Sequence, residues 1–297
     1  MNLELRPLAL AAATLLLAAC ASGSGTTDTP TTPAPRPGEP APPPAPTGGR
    51  GPAVTFRPVQ GAAYRVERRD SLTLQYEGGA SQDQVRDRTA FVRLTLAQAA
   101  AGSYQATIVL DSLLASENGV PVPFDSLGPV RGTQWTATLT TEGTLEGLRA
   151  NRSSTLGDEL VSTLRLLLPR IPQGGVREGM VWSDTTSYQL VADAFPGTET
   201  TAMAYRATEG EGRKTIALES EGSYTRSGTR LQGEQELQMT ASGQRQGTHQ
   251  LSLEGSLLSA EGTEAGEMTI SVPAVGQTVP VKQSSSYRIS AAAAGSR

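Results

Sequence analysis

The stretch Tyr104-Gln105-Ala106-Thr107-Ile108-Val109-Leu110-Asp111 decides the fold class. Ala106, Ile108 and Leu110 fall on one side of an extended chain, and Thr107, Val109 and Asp111 fall on the other. A period of two marks a strand buried on one face. The same pattern recurs outward in both directions. Leu72, Leu74 and Tyr76 alternate with Thr73 and Gln75; Val92, Leu94 and Leu96 with Arg93 and Thr95; Trp135, Ala137 and Leu139 with Thr136, Thr138 and Thr140. Further on come Leu237 with Met239, Leu251 with Leu253, Met268 with Ile270 and Val272, and Tyr287 with Ile289. Strands with one apolar and one polar face build an antiparallel sheet wetted on one side. Turn-forming groups separate the runs at Glu77-Gly78-Gly79, Glu117-Asn118-Gly119, Glu142-Gly143, Glu209-Gly210-Glu211-Gly212 and Ser227-Gly228.

One segment keeps a different period. Between Thr155 and Leu168 the apolar residues stand at 156, 160, 161, 164, 167 and 168, the spacing of one helix face. Thr155 with Asp158 reads as an acidic variant of the capping box, and Pro169 and Pro172 lie beyond the end. The expected fold is therefore mainly β: a single curved antiparallel sheet or half-barrel with one central amphipathic helix at about 155–168. A weak echo joins 104–117 to 249–261, each read as a strand running to a turn, as two duplicated β halves would give.

The N-terminal part reads differently. Leu8 to Ala19 is apolar apart from Thr14, too short for a membrane-spanning helix, which needs about 20 residues, but suited to a secretory signal. It ends in Leu17-Ala18-Ala19-Cys20, which resembles the lipobox of bacterial lipoproteins. That resemblance implies cleavage before Cys20, lipid (diacylglycerol and an acyl chain such as palmitate) on Cys20, and a membrane as partner. By the proteobacterial sorting pattern, Ala21 after the cysteine implies the outer membrane, with the protein facing the periplasm. Cys20 is the single cysteine, so the mature domain carries no disulfide. Residues 20–55 read as a lipidated, disordered, proline-rich tether, because prolines such as those of Pro40-Ala41-Pro42-Pro43-Pro44 lack the donors that helix and sheet require. The globular β domain is expected over 56–292, followed by a disordered tail at 293–297.

The residues that carry chemistry are sparse. Lys and Arg total 25 against 29 Asp and Glu, a mildly acidic balance that argues against a nucleic-acid partner. The one histidine, His249, stands in Gly-Thr-His-Gln and reads as a solvated strand-edge residue rather than a base. With it and one cysteine, the usual zinc ligand sets cannot be assembled. Asp83, Asp87, Glu209 and Glu211 lack calcium-loop spacing. No Gly-x-Ser-x-Gly elbow is seen near a strand-to-helix turn. No catalytic residue, metal or cofactor is assigned, and an enzyme is the least favoured class. Trp135 and Trp182 follow glycine turns, where a large ring closes the end of a core and bonds through its indole donor. Gly179-Met180-Val181-Trp182-Ser183-Asp184-Thr185 resembles a segment of uncharacterised β-rich bacterial envelope proteins, which implies no activity.

A curved sheet with a leucine-rich helix resembles the half-barrel lipoproteins of the LolA, LolB and LppX kind. The resemblance implies a carrier of lipid or another hydrophobic ligand, with Leu94, Ile108, Leu139, Leu156, Leu160, Leu164 and Leu168 lining a cavity between helix and sheet. The alternative is a solid-core structural or interaction module, tethered to the envelope, that meets an envelope protein and holds no small molecule.

Overall fold

The computed structural model describes residues 45–292, apart from 77–78, 100–102, 153, 191–194, 212–213 and 234. The signal segment 1–19, Cys20, most of the tether and the tail 293–297 lie outside the described residues.

Fourteen strands dominate: β1 (Arg50–Val54), β2 (Ala62–Gln75), β3 (Ser81–Gln98), β4 (Tyr104–Glu117), β5 (Val120–Pro121), β6 (Gln134–Leu139), β7 (Leu145–Ala150), β8 (Val176–Glu178), β9 (Val181–Leu190), β10 (Gly197–Glu209), β11 (Thr215–Gln232), β12 (Gln235–Ser252), β13 (Leu257–Val272) and β14 (Gln277–Ala291). Among the described residues helices are few, namely α1 (Phe124–Leu127), α2 (Thr155–Arg165) and two short 3-10 turns. The main sheet runs β7-β6-β4-β3-β2-β14-β13-β12-β11-β10-β9, with β5 added beside β4, while β1 and β8 pair separately. The sheet is antiparallel, strongly curved and nearly closed, as the alternation predicts. The pairing of β14 with β2, which sets Tyr287 opposite Arg68, joins the two ends of the domain.

The inward rows of these strands pack around α2. Leu94, Ile108, Leu110, Trp135, Leu139, Leu160, Val161, Leu164, Leu167, Leu218, Leu251 and Ile289 belong to one buried cluster. Burying each such side chain contributes roughly 1.5–3 kcal/mol. The sheet's edges, β7 and β9, are bridged by the chain that follows α2. Arg170 there bonds Thr144 on one side and Asp184 and Thr186 on the other. Arg165 donates to the Gln189 carbonyl at 3.4 Å. The segment 45–57 crosses the lower end: Thr47 pairs with Val181, Val54 with Val176, and the Arg57 amide donates to the Gly255 carbonyl at 2.9 Å.

Several expectations change. The cap of α2 is Ser154, whose Oγ accepts from the Gly157 amide at 3.1 Å, one residue before the expected Thr155, and the helix ends at Arg165 rather than 168. Leu167 and Leu168 leave the helix but remain buried. Strand β1 falls inside the stretch 20–55 read as tether, and Val54 is buried there by pairing with β8. Ser227-Gly228 is no turn; it lies within β11, where a Cβ at Gly228 would stand 2.6 Å from the Phe195 carbonyl oxygen. That glycine serves close approach rather than chain reversal. Leu237–Met239 and Leu251 belong to the single long strand β12, and Leu253 sits exposed in the turn after it. The two echoing segments differ: 104–117 runs straight through β4, whereas 249–261 bends between β12 and β13. They therefore do not mark equivalent positions.

Candidate functional site

The six leucines and one isoleucine expected to line a cavity are brought together, but into contact. Leu94, Ile108, Leu139, Leu160, Leu164 and Leu168 are buried in the main core, and Leu156 packs half-buried against it. Beside α2 lies a small hollow of about 60 Å³, which Leu168 borders together with Leu166, Arg170, Tyr205 and His249. That is room for about two waters.

Above this core the inward side chains are polar and bonded to one another. Arg88, 6% exposed, bonds Asp70 at 3.1 Å and also reaches Glu159 of α2. Arg86 meets Glu159 at 3.0 Å. Arg68 bonds Asp70 at 2.7 Å, Thr163 at 3.2 Å and Ser285 at 3.1 Å, so sheet and helix share one network. Arg245 lies between Glu264 at 2.8 Å and Glu199 at 3.3 Å. Burial works against its charge, but these two carboxylates hold it protonated more firmly than usual. Burial pushes the Tyr224 and Tyr287 phenols up to about 12.

His249 corrects its sequence reading: it is buried within β12, and its Nε2 donates to the Leu166 carbonyl at 3.1 Å. Burial lowers its pKa, and the bond to Leu166 only partly opposes that. It therefore anchors the chain after α2. Trp182 stacks on Tyr205 with centroids 5.2 Å apart. Trp135 is fully buried, yet its indole nitrogen finds no partner among the described residues, contrary to the expected bond. Asp83 and Asp87 accept from Thr73 and Arg69 across the β2–β3 pair. Among the described residues, no three His, Cys, Asp or Glu side chains gather as a metal site.

The large recess is elsewhere. A groove of about 920 Å³ crosses eight neighbouring strands from β3 to β9. Its lining includes the exposed Val181 but neither the inward Trp182 nor any residue of α2, so it lies on the outer face. Register explains its shape. The floor is the backbone of a single row, Arg88-Arg68-Tyr287-Gly262-Gly247-Ser220-Tyr205. Two of these residues are glycines, and Tyr287 lies behind both: a Cβ at either would stand 2.6 Å from its hydroxyl. One wall is Asp87-Arg69-Ser286-Thr263-Gln246-Glu221-Ala204. The other is Thr89-Glu67-Arg288-Glu261-Thr248-Glu219-Arg206-Val181. Many wall residues are engaged: Arg69 with Asp87, Arg288 with Glu261, Gln246 with Thr263 and Thr208 with Glu219. A second recess of about 430 Å³ lies on the same face of β11–β13, walled by Thr225, Ser242, Glu267, Ser227, Thr240 and Thr269. Sequence reasoning missed both, because their walls exist only once distant strands are in register.

No known protein family and no curated protein matches the chain. Two solved structures resemble it faintly. One, described as "Asymmetric conductivity of engineered proteins", is 10% identical and aligns over 75% of this chain and 99% of its own with a TM-score of 0.23. The other, a mutant of the Rh. blastica porin, is 7% identical over 76% and 98% with a TM-score of 0.20. Likenesses this weak carry no argument about function.

Proposed function

We propose that this chain is a cell-envelope lipoprotein, anchored through lipid on Cys20 to the outer membrane and facing the periplasm. Its domain is a solid-core binding module that works through its outer face. One contrast carries the reading. The side chains placed to line a ligand cavity pack against one another beside a hollow of about 60 Å³, while a recess of about 920 Å³ lies outside. Ligand pockets run to about 300–1,000 Å³ and bury most of their occupant. The hollow beside α2 is far below that range.

Outward positions along the strands support a domain bathed in water. Arg65, Arg69, Arg93, Glu261 and Arg288 are all about half exposed or more. A barrel that crosses a membrane by its strands presents an apolar outward band about 25 Å tall, and these charges interrupt any such band. Among the described residues, no helix is long and apolar enough to cross a membrane. In this reading anchoring depends on lipid, and two acyl chains or more hold a protein stably.

Palmitate labelling in bacterial cells, paired with a photo-crosslinking residue at Gln246, tests both halves. Labelling lost in Cys20→Ala, with crosslinks from position 246 to an envelope component but none from a control at Leu114, is the expected outcome. Absence of label from the wild-type chain contradicts the anchor. A silent position 246 contradicts the working surface.

A further inference from the structure

We infer that the outer groove binds an uncharged linear polysaccharide laid across the strands; this rests on the outer face being the working surface. The first reason is direction. The groove runs perpendicular to the strands, and the backbone donors and acceptors of its floor are already paired within the ladder. An added peptide strand gains its affinity from main-chain bonds at a sheet edge, and this floor offers none. A polymer that bonds through hydroxyl groups needs side chains only. The second reason is lining. Apart from Ala204 and Val181 every wall side chain ends in a hydroxyl, amide, guanidinium or carboxylate group, and their apolar stems line the recess with them, which suits a ligand that has both hydroxyl edges and apolar faces.

The third reason is charge. The walls carry Arg69, Arg206 and Arg288 against Glu67, Asp87, Glu219, Glu221 and Glu261, three cations to five anions. A polyanion is disfavoured, and half of the charges pair with one another across strands, Arg69 with Asp87 and Arg288 with Glu261, which orients them as donors and acceptors. The fourth reason is spacing. Strands lie about 4.8 Å apart, close to the length of one pyranose unit in an extended β-linked chain. Each sugar therefore meets one strand's pair of wall residues, and consecutive sugars meet consecutive strands. The hydroxyl-lined recess on β11–β13 adds Thr225, Ser227, Thr240, Ser242 and Thr269 as further partners on the same face.

Co-sedimentation of the full chain in detergent with three insoluble polymers tests this: chitin and cellulose, which are uncharged, and heparin beads, which are polyanionic. Retention on an uncharged polymer that survives high salt, with none on heparin, is expected. Gln246→Trp and Thr263→Trp, each filling the groove from an exposed wall position, should weaken retention at least tenfold while circular dichroism is unchanged, and Leu114→Trp should leave it intact. Should one wall variant fail to fold, the other decides. No retention on either uncharged polymer overturns the inference, as does retention indifferent to both wall variants. Crosslinking from position 246 separates the two failures: if it persists when the polymers do not bind, the surface stands and the ligand class falls.

Discussion

His249 shows how one residue couples fold to pH. Its burial favours the neutral imidazole, so its folded pKa lies below the ordinary 6.5 of histidine. A base with a depressed folded pKa contributes stability above its unfolded pKa and loses it as pH falls, because the unfolded chain then takes up the proton first. The melting temperature should fall as pH drops below about 6.5, and His249→Gln, which keeps a donor for Leu166, should flatten that slope relative to wild type. An identical slope in the variant would assign the effect to other groups. The glycines of the groove floor make a second residue-level claim. A methyl group at Gly247 meets the Tyr287 hydroxyl first, so Gly247→Ala should cost about 1–3 kcal/mol by overpacking. Tyr287→Phe removes the clashing oxygen and should restore part of that loss in chemical denaturation. Additive losses in the double variant would show that the clash is with the backbone instead.

Among the elements, α2 is held to the sheet from two sides, by leucines below and by the Arg86–Arg88–Asp70–Arg68 network above. Removing one member of a buried ionic network leaves the others unpaired and typically costs about 3–5 kcal/mol. Asp70 serves Arg68, Arg88 and Ser285, so Asp70→Ala should lower unfolding free energy by about 3 kcal/mol. A loss below about 1 kcal/mol would mean that the network is no more than a surface salt bridge in effect. The same elements show what a sequence can reveal. Strands such as β4 and β6 were legible because their inward rows are apolar throughout, and α2 because its stripe is leucine. The upper inward positions of β2 and β14 were not, since Arg68, Asp70 and Ser285 replace the apolar residues there and blur the alternation. Gly228 and the Gly-Thr-His stretch of β12 carry turn chemistry in their composition, yet the neighbouring strands hold them extended.

For the whole molecule, the pairing of β14 with β2 and the chain after α2 turn a row of hairpins into a nearly closed sheet. Closure sets the inside against the outside: leucines and a polar network within, two rows of charges and hydroxyls without. None of the groove was readable in advance, because its walls join residues as distant in sequence as Glu67 and Arg288. The hydrophobic set was readable, but its packing into contact depends on how tightly the sheet curves around α2. The segment 45–57 completes the lower end, and its excision should expose Val176 and lower the melting point without opening a lipid-sized space. The claim that the interior is solid is tested most directly by native mass spectrometry of the chain from residue 45, followed by organic extraction, before and after incubation with envelope lipids. The account predicts the bare polypeptide mass in both states, and a Leu164→Asn variant that is destabilised rather than emptied. A lipid bound at substantial occupancy, released by Leu164→Asn while the fold persists, would contradict it.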